Sequence, residues 1–210
     1  ALLQSLAICR DPKSLGAAKK MLNSPDAGVR AAAAHAVAWT GNPAFIEPLR
    51  GVRTASTEAT RFEASDALLR LGDALARSGK TAEAVNVYTD LVKTEANPAL
   101  AGAALASLIR YADASSAETV ASALTGDKHA QFEPVAIAAF EARRGQPGAD
   151  LLLAVYPATS PGVRSLLIGV MGRQRNAAFQ ETLGKALNDP AYRIVAANAL
   201  ADSRQPGAAY

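Results

Sequence analysis

Residues 22–49 read LNSPDAGVRAAAAHAVAWTGNPAFIEPL, and the rest of the chain repeats the pattern of this stretch. It predicts the end of one helix, a tight turn at Asn23-Ser24-Pro25-Asp26, a second helix and the beginning of a third, because Pro and Asp favour chain reversal. The second helix is rich in alanine and ends before Gly41-Asn42-Pro43, since Gly followed by Pro is a helix stop signal. We therefore expect hairpins of two helices as the building unit.

Similar turn-and-helix units recur toward the C-terminus. Aligned on the position of Arg30, the units fall at Arg30, Arg61, Ala101, Glu133, Arg164 and Arg193. Their spacing is about 30 residues, with one longer unit near 40, which is the range of helical-pair repeats. The units at Ala101 and Glu133 lack the arginine.

This pattern resembles HEAT repeats, especially the short HEAT-like kind of bacterial proteins and bilin lyases. In that family a turn of the type Asp-Pro-x-x-Val-Arg leads into a helix of the type x-x-Ala-x-x-Ala-Leu-Gly-x-x-Gly. The matching residues are Pro25, Asp26, Val29, Arg30, Ala33, Ala36, Val37 and Gly41; Arg61, Ala64, Ala67, Leu68 and Gly72; Pro161, Val163, Arg164 and Gly172; and Asp189, Pro190, Arg193, Ala196, Ala199 and Leu200. The resemblance covers most of the chain and implies an all-α fold, a right-handed α-α superhelix (HEAT/armadillo-like solenoid) of about six helix pairs.

We expect residues 1–210 to form a single HEAT-like repeat domain, with a leading half-repeat at 1–11 and a tail at 203–210. A unit at about 57–94 is similar to a TPR hairpin through Leu71, Gly72, Leu75, Gly79, Ala84 and Tyr88. First helices are predicted at 12–23, 43–53, 81–94, 114–125, 147–155 and 176–187. Second helices are predicted at 25–39, 57–77, 98–112, 129–144, 160–174 and 190–202. Pro134 moves the start of the fourth of these second helices toward Glu133, because Pro is tolerated in the first turn of a helix.

Composition narrows the classes of function. Half of the 210 residues are hydrophobic but only 5% are aromatic, which favours a core of Ala, Leu, Val and Ile. The net charge is only +3, and the basic residues are interleaved with acidic ones. The dense basic face of a typical nucleic-acid binder is therefore not predicted. No apolar run approaches the ~20 residues needed to span a bilayer. We interpret Cys9, the only cysteine, as a buried structural thiol.

The chain opens on Ala1-Leu2-Leu3, without a start Met or a charged-then-apolar signal pattern. We therefore expect a fragment or a processed form of a larger chain, and both cytoplasmic and exported locations stay open, as does the oligomeric state.

The repeated arginines lie in the first turns of second helices. A ladder in which Arg30, Arg61, Arg164 and Arg193 bond turn carbonyls or a turn aspartate is the structural interpretation, and the resemblance implies it. The alternative is a basic stripe for phosphates or acidic partners.

Positions further along the second helices share a face, which lines the concave side in the family that the chain resembles. The polar or aromatic residues of this stripe are predicted to bind a partner, because Trp and Arg favour interface hot spots. These candidates are His35, Trp39, Asp66, Arg70, Arg110, Arg173 and Asn198. An ordinary solvated face is the alternative, and packing against a neighbouring unit is the alternative for Trp39.

Motifs of catalysis are not found. Neither histidine, His35 or His129, is followed by Glu in the sequence, and neither belongs to a His-x-x-x-His motif. No metal site and no cofactor are therefore predicted. The sequence has no nucleophile elbow, phosphate loop or dinucleotide fingerprint, and acids such as Glu58 and Glu63 are expected to be solvated. We therefore predict a non-enzymatic scaffold that binds a protein or peptide. The alternatives are a nucleic-acid binder of the HEAT-like DNA glycosylase type and a bilin-lyase-like accessory enzyme.

Overall fold

The computed structural model describes residues 15–55, 57–126 and 129–204. In these residues the regular structure consists of twelve α-helices and four short 3-10 turns, with no strand. The helices are α1 (Leu15–Met21), α2 (Ala27–Ala38), α3 (Ile46–Thr54), α4 (Glu58–Arg77), α5 (Thr81–Thr94), α6 (Pro98–Tyr111), α7 (Ala117–Thr125), α8 (His129–Ala142), α9 (Gln146–Val155), α10 (Pro161–Gln174), α11 (Gln180–Asn188) and α12 (Arg193–Arg204). The predicted all-α helical-repeat class is confirmed. The half-repeat at 1–11, Cys9 and the end of the tail lie outside the described residues.

Local signals explain where the helices begin and end. Asp26 caps α2, because its Oδ1 accepts a hydrogen bond of 3.0 Å from the backbone N–H of Val29. Beyond α2, Gly41 has a positive φ of 58°, and an added Cβ would lie 3.0 Å from the carbonyl oxygen of Ala74. Glycine is therefore favoured here for two reasons: the backbone is left-handed, and α4 approaches too closely for a Cβ atom.

The chain divides into two compact units, with the boundary inside α6 between Ala104 and Leu105. In the first unit, α1 packs against α2 and α3 packs against α4, as two hairpins. The second helices α2 and α4 also pack against each other, so neighbouring hairpins stack. Small side chains permit this contact: Ala33, Ala34 and Ala36 of α2 are buried.

In the hairpin of α4 and α5, the ring of Tyr88 packs directly against Gly72. An added Cβ at Gly72 would lie only 2.7 Å from Cε1 of Tyr88, so the tyrosine ring fills the space above this glycine. The Tyr88 hydroxyl donates a hydrogen bond of 2.8 Å to Oδ1 of Asp73. Tyr88 and Ala84 are fully buried, so α4 and α5 are closely packed here.

A buried ion pair joins α3, α4 and the segment after α5. The guanidinium of Arg53 donates to the Ser65 hydroxyl (2.9 Å), to the Thr94 hydroxyl (2.7 Å) and to the Glu95 carboxylate (3.2 Å). Only 3% of the Glu95 side chain is exposed. Burial raises the pKa of Glu95, but hydrogen bonds from Ser65 and from the Asn97 backbone N–H, together with the Arg53 charge, lower it by more, so its pKa lies below the ordinary value.

The second unit also stacks hairpins. Helix α7 packs against α8 and α9, and α11 packs against α12. The second helices α8, α10 and α12 pack in succession. An added Cβ at Gly172 would lie 2.6 Å from Cα of Ala199, so glycine permits the close contact between α10 and α12.

The expectation for Pro134 is wrong. Helix α8 begins at His129 and carries Pro134 in its interior. Proline there removes one backbone hydrogen bond, the one to the carbonyl of Ala130. Both Pro134 and Ala130 are exposed, so water can satisfy that carbonyl and the helix continues.

Most of the other predicted helices agree with the structure to within three residues. The prediction at 81–94 coincides with α5, and three predicted first helices begin with a 3-10 turn: Pro43–Phe45, Ala114–Ser116 and Ala177–Phe179. No described helix has both the length and the apolar character needed to cross a membrane. The single repeat domain over residues 1–210 stays a prediction.

Candidate binding face on the second helices

Three repeated arginines contact the turn before their helix. Arg30 donates to the carbonyls of Ser24 (2.7 Å) and Pro25 (3.0 Å). Arg164 donates to the carbonyl of Pro157 (2.6 Å), and Arg193 makes a longer contact of 3.4 Å with the carbonyl of Leu187. The turn aspartates, Asp26 and Asp189, instead accept hydrogen bonds from backbone N–H groups at the start of the following helix or turn. These three contacts are the ones that a structural ladder requires.

Arg61 stands at the same repeat position but is exposed. Among the side chains that the structure describes, which leave out Glu58 and Ala59, we find no hydrogen bond or ion pair with Arg61. The structural role of Arg61 therefore stays a prediction.

Helices α2 and α4 bring four polar side chains together, which we call the His35 cluster: His35, Glu63, Asp66 and Arg70. Nε2 of His35 lies 2.6 Å from Oε2 of Glu63, and Nδ1 of His35 lies 3.8 Å from Oδ2 of Asp66. Nε of Arg70 donates to the same Asp66 oxygen over 2.6 Å. Three of the predicted candidates, His35, Asp66 and Arg70, therefore meet on one face of the first unit.

The exposure of the His35 cluster varies along the face. The exposed fraction of the side chain is 30% for His35, 45% for Glu63, 20% for Asp66 and 65% for Arg70. Ion pairs this exposed contribute about 0.2–1 kcal/mol each to stability. The fold therefore gains little from the cluster, whereas its outer groups can reach a partner.

The remaining candidates lie elsewhere. Trp39 is half-buried at the C-cap of α2, one helical turn beyond His35. Arg110 and Asn198 are exposed, and neither has an ion pair with a residue that the structure describes. Arg173 forms an ion pair with Glu141, and both side chains are about half exposed. This pair lines a cavity of about 110 Å³ with Arg144 and Gln174 in the second unit.

The comparisons identify the first part of the chain. Residues 1–69 match the profile of the family described as HEAT repeats. This match covers less than half of the chain, so the likeness to HEAT repeats that it shows is confined to residues 1–69. The matched segment contains α1 to α3 and the beginning of α4, including His35, Glu63 and Asp66 of the His35 cluster. No curated protein matches the chain.

Sequence reasoning missed two carboxylates of these HEAT-type faces. Glu63 is expected to be solvated, and its side chain is 45% exposed, but it also pairs with His35 on the neighbouring helix. Its signal was available, since Glu63 precedes Asp66 by three residues and Arg70 by seven and so lies on the same face of α4. Glu141 lies beside the predicted stripe, and only the packing of α8 against α10 shows its contact with Arg173. The side chain of Glu58 lies outside the described part of the chain.

The chemistry of the His35 cluster is that of recognition by hydrogen bonds. The cluster consists of an imidazole, two carboxylates and one guanidinium, so it offers both donors and acceptors. We find no group of three or more His, Cys, Asp or Glu side chains that could hold a metal ion in the described parts of the chain. The side chain of His129 lies outside those parts.

Proposed function

We propose that this helical-repeat scaffold binds a protein or peptide partner on the face formed by the second helices, and that the His35 cluster is the centre of this face in the first unit. HEAT repeats are scaffolds that commonly bind proteins along such surfaces. The observation that carries the proposal is the convergence of His35 and Glu63, 28 positions apart in sequence, at a distance of 2.6 Å. The partner is a polar segment that uses the exposed edges of Glu63 and Arg70.

Pre-organisation supports the role of these side chains. Asp66 holds Arg70 through Nε alone, so the outer guanidinium nitrogens of Arg70 point away from this bond and can donate to a partner. A side chain that is already oriented loses less entropy on binding than a freely rotating one. Trp39, one turn beyond His35, provides apolar area at the edge of the same face.

Charge pairing favours a protein over a nucleic acid. Two arginines of the predicted stripe, Arg70 and Arg173, are paired with Asp66 and Glu141. Paired guanidinium groups leave less free positive charge for phosphates, whose contacts dominate the affinity of nucleic-acid binders.

Site-specific photo-crosslinking in the cells that produce the chain tests the proposal. A photo-reactive amino acid replaces Arg70 in one variant and Arg77 in another. Arg77 is the matched control because it is also an exposed arginine of α4 but lies in its last turn. We expect a crosslinked partner from position 70 and none from position 77.

The crosslinked partner is then purified and its affinity measured. Arg70→Glu should weaken binding roughly tenfold or more, as hot-spot substitutions do, while Arg77→Glu should leave it within about twofold. Equal crosslinking from both positions, or binding that ignores Arg70→Glu, would contradict the proposal.

A further inference from the structure

A second site lies in the first unit, on the side of the turn that precedes α6. A cavity of about 400 Å³ lies between the first turn of α4 and the segment that leads into α6. Its lining residues are Arg61, Phe62, Glu95, Ala96, Asn97 and Pro98. None of them belongs to the His35 cluster.

Arg61 supplies an unused positive charge to this cavity. At the same repeat position, the guanidinium of Arg30 donates hydrogen bonds to the carbonyls of Ser24 and Pro25. Arg61 is exposed and has no such contact within the described ranges. A guanidinium without an internal partner can form a bidentate bond with a carboxylate that arrives from outside.

Phe62 supplies an exposed aromatic ring beside that charge. It is 44% exposed, and it is one of four large hydrophobic residues exposed to this degree in the described chain. Somewhat less than half of this residue is therefore accessible to a partner. An arginine next to an exposed aromatic residue is the composition of interface hot spots.

The opposite wall of the cavity is rigid and already neutralised. Glu95 is bonded to Arg53, Ser65 and the backbone N–H of Asn97, and 3% of its side chain is exposed. Asn97 Oδ1 accepts from the N–H groups of Ala99 (3.0 Å) and Leu100 (3.2 Å) at the start of α6. Because Arg53 offsets the charge of Glu95, Arg61 carries the remaining charge among the described residues that line the cavity.

We propose that this cavity, which we call the Arg61 pocket, binds an acidic peptide segment of a partner protein. A carboxylate of the segment binds the guanidinium of Arg61, and a neighbouring apolar side chain packs against the ring of Phe62. This site is independent of the His35 cluster, so either proposal can fail without the other.

A direct binding experiment tests the Arg61 pocket. The probe is a short peptide of alternating Asp and Leu, and the matched control peptide has Asn in place of Asp. Amide spectra of the ¹⁵N-labelled chain should shift at residues 61–62 and 95–97 with the acidic peptide and not with the Asn peptide. Inorganic phosphate serves as a competitor, and we expect it to displace the peptide only weakly because it cannot contact Phe62.

Variants then separate the two contacts. Arg61→Glu and Phe62→Ser should each weaken peptide binding roughly tenfold, whereas Arg77→Glu should change it less than about twofold. Arg61→Lys should fall in between, because lysine keeps the charge but loses the bidentate geometry. Circular dichroism checks folding, and the map of shifts on the unaltered chain decides the location even if a variant unfolds.

Several outcomes would overturn the proposal. The acidic peptide could fail to bind, or its shifts could be confined to residues 35, 63, 66 and 70. Arg77→Glu could weaken binding as much as Arg61→Glu does. Finally, phosphate could displace the bound peptide as effectively as additional peptide does. The last result would assign a simple anion site instead.

Discussion

Arg30 and Arg61 stand at equivalent positions in the first turns of α2 and α4, the second helices of neighbouring hairpins, yet their surroundings differ. At α2, Arg30 of the second helix donates to two carbonyls of its turn. At α4, Arg53 of the preceding first helix enters the buried ion pair with Glu95, and Arg61 is exposed. In the second hairpin, the guanidinium with buried contacts therefore belongs to Arg53 and not to the repeat arginine, Arg61. Arg30 also lines a cavity, of about 380 Å³, but its guanidinium is bonded to two turn carbonyls, whereas Arg61 is exposed.

The largest effect is expected at the buried pair. Arg53→Ala leaves the carboxylate of Glu95 buried without its cation, which should lower the free energy of unfolding by about 3–5 kcal/mol. Urea denaturation measures this change. The control is Arg77→Ala, an exposed site where a change within about 0.5 kcal/mol is expected. A loss for Arg53→Ala as small as the control would show that the ion pair does not hold this hairpin.

The comparison itself is tested by matched alanine substitutions at the repeat position. Arg30→Ala removes two hydrogen bonds, one half-buried and one exposed, and should cost about 1–2 kcal/mol, whereas Arg61→Ala should cost less than about 0.5 kcal/mol. Both values come from the same denaturation experiment. Equal losses at the two positions would mean that Arg61 also has a structural role.

The smallest effect is expected in the acid dependence of stability. Because the folded-state pKa of Glu95 lies below its unfolded value, its ionisation stabilises the fold at neutral pH. This contribution should disappear as the pH falls below about 4.3, the usual Glu pKa, and through the lower folded value. Glu95→Gln should flatten that part of the stability curve relative to the unaltered chain. An unchanged acid slope would contradict the assignment.

Sequence reasoning predicted the helices well because their signals are local. The loop Ser78-Gly79-Lys80 predicted the break between α4 and α5, and Gly79 has a positive φ of 80° there. The same reasoning placed Pro134 wrongly, because exposure of the nearby carbonyl decides whether an interior proline is tolerated.

Part of the candidate site could also be predicted. Counting along second helices from the repeat arginine placed His35, Asp66 and Arg70 on one stripe, and these three side chains do meet. The same count omitted Glu63, although its spacing to Asp66 places it on the same face of α4, and it could not find the contact of Glu141, because Arg173 lies on another helix. It also could not separate Arg61 from Arg30, which stand at the same position of their helices.

The sequence by itself determined the hairpins, their turns and the repeated arginine, because capping, chain reversal and helical periodicity act over a few residues. Only the tertiary structure decided which arginines are used internally and which carboxylates they contact. Those partners are as far apart in sequence as Arg53 and Glu95, 42 positions. Their meeting depends on how the helices pack, and the glycines and alanines at the contacts determine how closely they can do so.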